Sequence, residues 1–362
     1  MAFREIGSNF YTCDFQLSSQ VDDRIIKSKY NFTANIVYPS LGRNALSMVL
    51  KGLKMNRKVA LLPGYTCETV IQPFISENYK LVFYNFNKDL TINLNDLESK
   101  ITDYKPNIIL VHGFYGQNTF LSAKSLIQSA RENGCIVIED DTQTVFSEIE
   151  MLSADYYFGS LRKWMEIPDG AYICSSENPP HIFNSINKNF ITLITEAFRL
   201  KADYVNSLDV NLKLRYKKLY LVAQNLIDND STIYEMADSS KGILNSYDLE
   251  FMKKKRIENF NYLLENILNE FESLKPVINI PVTHNICPFY FPLFVENRKE
   301  IQNVLSENDI YATIIWPKSE FTEGLNKETE YIYDKILGIP CDQRYDRNNM
   351  RRIIAVLNKY YY

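Results

Sequence analysis

Short apolar runs alternate with amphipathic stretches over the first half of the chain. The runs end at glycine, proline or acidic residues, which is typical of buried strands, and the stretches between them carry apolar residues at helical spacing. The pattern predicts strands at 58–62, 80–84, 107–111, 135–139 and 169–174, and helices at 42–53, 67–77, 94–100 and 123–133. Alternation of this kind favours an α/β fold with a mostly parallel sheet.

The second half has a different pattern. Helical spacing dominates residues 180–272, with predicted helices at 191–206, 213–228 and 249–271. After two prolines, strands at 289–295 and 311–316 alternate with helices at 299–308 and 347–359, which predicts a small C-terminal α+β domain. We therefore predict an N-terminal arm (1–34), a large domain (35–245) and a small domain with its linking helix (246–362).

Composition narrows the classes of function. The chain has 362 residues, enough for a large and a small domain, and its net charge of −4 provides no basic footprint for nucleic acid or an anionic membrane. Its six cysteines form no CxxC pair and its three histidines are far apart, so no metal site is predicted. With no apolar leader and no run of membrane-spanning length, a cytoplasmic protein with reduced thiols is expected.

An acid and a lysine are the first candidate catalytic residues. The apolar run Ile136–Ile138 leads into Glu139 and Asp140, and Lys163 lies about twenty residues further on. Lysine forms Schiff bases, and an aspartate commonly pairs the pyridinium nitrogen of pyridoxal phosphate (PLP). Taken singly, Asp140 is better explained as the cap of the following turn, and Lys163 as a surface residue.

Other residues could complete a cofactor site. Gly42 and Arg43 open a predicted helix, whose free backbone N–H groups and positive dipole end favour phosphate binding. Arg43 would add charge-assisted hydrogen bonds, and Ser160 is near enough in sequence to Lys163 to reach the same phosphate. Gln143, three residues after Asp140, could hydrogen-bond a ring hydroxyl or flank the ring. A plain helix start remains the alternative at Gly42.

Six segments occur in a recognisable order: Leu41–Leu46, Leu62–Cys67, His112–Gln117, Ile138–Gln143, Ser160–Trp164 and Ile336–Tyr345. This order resembles the DegT/StrS family of PLP-dependent sugar aminotransferases over about residues 35–360. The resemblance implies a three-layer fold type I PLP-transferase with a mostly parallel central sheet. It also implies a homodimer with its active site near the subunit interface.

The resemblance assigns roles to individual residues. It implies that Gly42 and Arg43 bind the phosphate, that Asp140 pairs the pyridine nitrogen with Gln143 beside it, and that Lys163 forms the Schiff base. Three features depart from the family. Cys67 occupies the place of an aromatic residue that stacks on the cofactor ring, and Arg43 replaces the small residue that usually follows the glycine of the phosphate turn. The family's Gly-x-Asn-x-Arg loop is not recognisable in residues 180–245.

The expected function is transfer of an amino group, with glutamate as donor, to a keto sugar carried on a nucleotide, in polysaccharide biosynthesis. Tyr115 and Trp316 are weaker candidates for substrate contact, because each could equally be a core or crevice-wall residue. Two alternatives stay open: a PLP enzyme of the same fold with other chemistry, and a non-catalytic relative that binds a nucleotide sugar.

Overall fold

The computed structural model describes residues 5–30, 32, 34–271 and 274–361. Residues 1–4, 31 and 33 of the predicted N-terminal arm lie outside the described residues. The helices are α1 (Arg24–Lys27), α2 (Gly42–Gly52), α3 (Glu68–Ser76), α4 (Leu94–Tyr104), α5 (Lys124–Glu132), α6 (Lys188–Ser207), α7 (Val210–Asp228), α8 (Asp238–Ser246), α9 (Leu249–Glu270), α10 (Arg298–Glu307), α11 (Lys327–Lys335) and α12 (Arg347–Tyr361).

The strands confirm most of the predicted positions to within two residues at either end. They are β1 (Asn35–Val37), β2 (Val59–Pro63), β3 (Lys80–Tyr84), β4 (Ile108–His112), β5 (Ile136–Asp140), β6 (Tyr156–Ser160), β7 (Ala171–Ser175), β8 (Lys275–Pro276), β9 (Phe291–Phe294) and β10 (Ile336–Ile339). The alternating α/β pattern of the first half is therefore present in the structure.

The chain packs as two compact units. The first contains the residues up to Ser8, Met55–Asp155 and those from Asp248 onwards, and the second contains Asn9–Lys54 and Tyr156–Tyr247. These units group segments by packing. The predicted division at residues 34 and 245 stays a prediction.

Four parallel strands form the main sheet of the first unit, in the order β5-β4-β2-β3. All five residues of β2 and of β4 are buried, which explains why their sequences are continuous apolar runs without alternation. A second, antiparallel sheet in the order β10-β9-β8 shares an apolar core with α9, α10 and α12. It agrees with the predicted C-terminal α+β content.

The second unit combines antiparallel strands with helices. Its strands lie in the order β1-β7-β6, and α2 packs on β6 and β7. Helices α6 and α7 form a hairpin with buried aromatic residues between them. None of the helices in the described ranges is both long and apolar enough to cross a membrane.

The predicted strand at 311–316 is wrong. Ile310 forms a single bridge with Ile6, and Thr313 forms one with Gly338. Because the two bridges use partners on different segments, no ladder extends along this stretch. The pattern of β-branched and aromatic residues that suggested a strand instead reflects burial of Ala312 and Ile315.

Candidate active site

The loops after β2, β4 and β5 carry the candidate residues of the first unit. Parallel strands end at the same edge of a sheet, so these loops lie beside one another. His112 at the end of β4 and Asp140 at the end of β5 are paired in register. The sequence analysis gave His112 no individual role. Its position one residue past the predicted strand 107–111 could have marked it as a candidate site residue.

Asp140 is held in a defined orientation. It is buried, and its Oδ1 accepts a hydrogen bond from the backbone N–H of Thr142 at 2.8 Å. This bond closes the turn after β5, as an Asp side chain commonly does. The turn-capping role considered from the sequence is therefore present, and it fixes the direction of the carboxylate.

The side-chain amide of Gln143 is buried, and only its oxygen has a hydrogen-bond partner among the described residues. Its Oε1 accepts the backbone N–H of Tyr115 at 2.8 Å, whereas its Nε2 has no hydrogen-bond partner among the described residues. A buried donor without an acceptor is costly and rare. The amide therefore has a donor group that no described residue satisfies, which leaves it available to an oxygen atom from outside the chain.

The orientation of Gln143 depends on a tight turn. Phe114 and Gln117 bond to each other in both directions, and the central residues Tyr115 and Gly116 have φ of 55° and 90°. Positive φ at both central positions defines the turn as type I′. A Cβ on Gly116 would lie 2.3 Å from the carbonyl oxygen of Cys287, so only glycine fits.

We predict that Gly116→Ala destabilises the first unit more than Gly134→Ala does. Both glycines have φ near 90°, but a Cβ on Gly134 meets no atom within 4 Å. Both alanine variants therefore place a side chain at a left-handed backbone position, and only the Gly116→Ala variant also clashes with Cys287. The free energy of unfolding in urea should fall by at least about 2 kcal/mol more for Gly116→Ala. Equal losses would contradict the proposed constraint.

Aromatic side chains surround the same strand ends. Tyr65 and Tyr115 are fully buried, with their hydroxyl oxygens 3.5 Å apart, and the ring of Trp316 lies 5.3 Å from that of Tyr65. His112 Nε2 lies 3.2 Å from Thr66 Oγ1, and its ring meets Trp316 edge-on at 5.5 Å. Trp316 is only half-buried, so it is better placed than Tyr115 to contact a ligand.

Cys67 immediately precedes α3. Its half-buried thiol has Sγ 3.1 Å from Thr69 Oγ1. A thiol covers much less area than the aromatic residue of the family. The predicted contact between Cys67 and a cofactor ring stays a prediction.

Gly42 and Ser160 meet in the second unit. Gly42 is the first residue of α2, and Leu41 before it is extended and provides no side-chain cap. A Cβ on Gly42 would lie 3.3 Å from the Cβ of Ser160. The uncapped N–H groups of the first helical turn therefore lie beside a serine, an arrangement suited to a phosphate group.

Arg43 has protein partners already. Its Nη1 donates to the carbonyl oxygen of Ile227 at 3.2 Å and lies 2.8 Å from Asp228 Oδ1. The guanidinium thus ties α2 to the end of α7. Its predicted contact with phosphate is untested, and Asp228 neutralises much of its charge.

Two half-buried cations follow β6 in a short 3₁₀ turn, Leu161–Lys163. The side chains of Arg162 and Lys163 make no hydrogen bond or ion pair with any residue that the structure describes. Burial lowers the pKa of Arg162 to about 10, with the charge of Arg43 acting in the same direction. The sequence analysis did not single out Arg162. Its side chain is better able than that of Arg43 to bind an anion, because Arg43 is already paired with Asp228.

Asp169 is a buried carboxyl near these cations. It accepts hydrogen bonds from Ser240 Oγ at 2.5 Å and from the N–H of Ala237 at 3.2 Å. Burial raises its pKa from 3.8 to about 6, although the hydrogen bonds and Arg162 oppose the rise. The folded protein therefore binds this proton more tightly than the unfolded chain does.

This shift predicts a pH-dependent stability. The stabilisation from the Asp169 proton is fully present below pH about 4 and is lost as pH rises through about 6; two pKa units correspond to about 3 kcal/mol. Asp169→Asn keeps an oxygen acceptor and does not titrate. Between pH 4 and 7, urea unfolding should show wild type losing about 3 kcal/mol relative to the variant. A pH-independent difference would contradict the assignment.

Comparison with known proteins gives a family match over part of the chain and a fold over nearly all of it. Residues 29–151 match the model of the DegT/DnrJ/EryC1/StrS aminotransferase family, which confirms the predicted resemblance over that range. A comparison with curated proteins gives no match.

Solved structures match along nearly the whole chain. DesV of S. venezuelae, in complex with a ketimine intermediate, has a TM-score of 0.68 at 14% identity and covers 96% of this chain and 91% of its own. Helicobacter pylori PseC, an aminotransferase involved in the biosynthesis of pseudoaminic acid, gives 0.69 at 12%, covering 99% of each. Spr1654 of Streptococcus pneumoniae, in its PLP-form, gives 0.69 at 11%, covering 98% of each. The predicted fold type I architecture is thereby confirmed.

Proposed function

We propose that the protein is a PLP-dependent aminotransferase that uses Lys163. The observation that carries the proposal is the half-buried Lys163 after β6, whose ammonium group has no hydrogen-bond or ion-pair partner among the described residues. A lysine of this kind is available for covalent attachment of a cofactor. The resemblance of the surrounding motifs to the DegT/StrS family supports the same role.

Within each unit, the candidate residues fit one part of PLP chemically. Lys163 would hold the cofactor covalently, Asp140 would pair the ring nitrogen, and the unsatisfied Nε2 of Gln143 would donate to the ring hydroxyl. The first turn of α2 at Gly42, with Ser160, would bind the phosphate. Bound PLP supplies an electron sink for the α-carbon of an amino acid.

The chain's own residues then have defined tasks. The carboxylate of Asp140, oriented by Thr142 N–H, keeps the ring nitrogen protonated. The amine of Lys163 takes and returns the proton at the substrate α-carbon, as a positioned general base and acid. Arg162 adds positive charge next to Lys163, and this charge favours an anionic group there.

The proposed reaction moves an amino group from glutamate to a keto sugar carried on a nucleotide, within polysaccharide biosynthesis. The family resemblance supports this acceptor class, and so does the likeness to PseC, an aminotransferase involved in the biosynthesis of pseudoaminic acid. A cytoplasmic homodimer with its active site near the subunit interface is part of the proposal. Trp316 is the side chain that we propose to contact the acceptor.

Absorbance of the purified protein tests the cofactor. After incubation with PLP and desalting, the protein should keep a visible absorption band that borohydride bleaches, and peptide mapping should find the fixed pyridoxyl group on Lys163. A protein that stays colourless and yields no fixed group would overturn the proposal. Bound PLP that no amino donor converts to pyridoxamine phosphate would instead favour the non-catalytic alternative.

A further inference from the structure

The 3₁₀ turn that carries Lys163 is tied to the start of α2. The carbonyl oxygen of Gly170 accepts the backbone N–H of Leu161 at 2.9 Å and that of Arg162 at 3.3 Å. The N–H of Gly170 in turn donates to the carbonyl oxygen of Ser40 at 2.6 Å, two residues before α2 begins. The backbone at Arg162 is therefore held near the N-terminal turn of α2, although the two segments are remote in the chain.

The side chain of Arg162 is half-buried and lacks a bonded partner. It makes no hydrogen bond or ion pair with any residue in the described ranges. Burial lowers the pKa of Arg162 to about 10; the charge of Arg43 acts in the same direction, and the carboxylates of Asp169 and Asp228 act against it. A partly desolvated guanidinium beside a second one is costly unless an anion compensates it.

Three kinds of hydrogen-bond donor meet at this place. The first turn of α2 offers backbone N–H groups, because Leu41 provides no side-chain cap. A Cβ on Gly42 would lie 3.9 Å from Ser160 Oγ, so the hydroxyl group is next to that turn. Arg162 adds the guanidinium. A phosphate group has enough acceptor oxygens for all three, whereas a carboxylate has only two.

We propose that Arg162 is the cation that binds the phosphate group of the cofactor, in place of Arg43. The assignment rests on the proposed function, because it takes this phosphate to be that of PLP attached at Lys163. The planar guanidinium can donate to two phosphate oxygens at once, which leaves the remaining oxygen to Ser160 and to the N–H groups of α2. The negative charge also offsets the repulsion between the two guanidinium groups.

The dissociation constants of PLP and of pyridoxal, measured on full-length protein freed of cofactor, isolate the contribution of the phosphate. Pyridoxal has the same ring and aldehyde but no phosphate. Arg162→Gln should weaken PLP binding by about 30-fold and leave pyridoxal binding unchanged. Arg162→Lys keeps the charge without the planar fork and should restore part of the loss. Both variants should keep the wild-type free energy of unfolding, because no described residue bonds to this side chain.

The matched control is Arg199→Gln on α6. It also removes one positive charge from the second unit, but Arg199 is exposed and pairs with Glu196. Both dissociation constants should stay at their wild-type values in this control. The assignment is overturned if Arg162→Gln weakens PLP and pyridoxal equally, or if it weakens neither.

Inorganic phosphate separates this assignment from the proposed function. Phosphorus NMR of cofactor-free protein should show a phosphate line that wild type broadens and Arg162→Gln does not. A wild type that binds phosphate through Arg162 but never fixes a pyridoxyl group would contradict the proposed function and keep the phosphate site. A fixed pyridoxyl group at Lys163, with phosphate binding absent or unaffected by Arg162→Gln, would overturn the assignment alone.

A nucleotide is the other source of a phosphate group. Uridine monophosphate should bind PLP-loaded wild type and PLP-loaded Arg162→Gln equally, because the phosphate of PLP already occupies the guanidinium. Binding of this nucleotide to the loaded wild type that Arg162→Gln abolishes would assign Arg162 to the substrate instead and overturn the proposal.

Discussion

Lys163→Ala should abolish both the borohydride-fixed cofactor and amino-group transfer. The substitution removes the proposed covalent attachment point and the group proposed to move the proton at the α-carbon. The rate of the half-reaction with an amino donor should fall by at least about 10⁴-fold. Because the ammonium group has no hydrogen-bond or ion-pair partner within the described part of the chain, its loss should leave the free energy of unfolding nearly unchanged.

Two further variants make this result specific. Lys163→Arg keeps the positive charge but cannot attach the cofactor, and it should be as inactive as Lys163→Ala. Lys254→Ala removes an exposed lysine of α9 and should retain full activity and cofactor. Full activity in Lys163→Arg, or a fixed pyridoxyl group on another lysine in active wild-type protein, would contradict the role of Lys163.

Asp140→Asn should leave the fold intact and slow transfer by about 10³-fold. The asparagine oxygen can still accept the N–H of Thr142, so the turn after β5 should persist. What is lost is the negative charge that we propose keeps the ring nitrogen protonated, and with it the electron-withdrawing power that a bound cofactor would have. The rate of the half-reaction and the free energy of unfolding, measured on the same preparation, separate the two effects.

The neighbouring acid provides the control for Asp140. Asp141 is also buried, and Asp141→Asn removes the same charge one residue further along the chain. Asp140→Asn is expected to slow transfer by about 10³-fold. We expect Asp141→Asn to slow it by a factor at least tenfold smaller. If Asp141→Asn were the more damaging variant at equal stability, the ring-nitrogen role would belong to Asp141 instead.

The parallel strands of the first unit were predictable because a strand that is buried on both faces has a continuous apolar sequence. β4 and β5 were placed to within one residue, and this placed Asp140 at a strand end. The segment 311–316 has a similar composition, but its residues are buried or half-buried without forming a ladder. Local composition reports burial in both places and cannot distinguish them.

Long-range partners explain what the sequence could not provide. Arg43 was expected at a phosphate because it follows Gly42, but its guanidinium meets Asp228, which is remote in the chain. Because Arg43 is already paired with Asp228, Arg162, which is unpaired among the described residues, becomes the better candidate for binding an anion. The orientation of Gln143 likewise depends on the turn Phe114–Gln117, because Tyr115 N–H donates to its Oε1. Cys287, which is remote in the chain, packs so closely against Gly116 of this turn that only glycine fits there.

The central claim is transfer of an amino group through PLP, and a single-turnover half-reaction tests it most directly. Protein loaded with PLP is mixed with glutamate, and the released cofactor and keto acid are quantified after denaturation. The account predicts one equivalent each of pyridoxamine phosphate and 2-oxoglutarate per PLP in the wild type and none in Lys163→Ala. PLP that remains unconverted by glutamate and by a panel of other amino donors would contradict it.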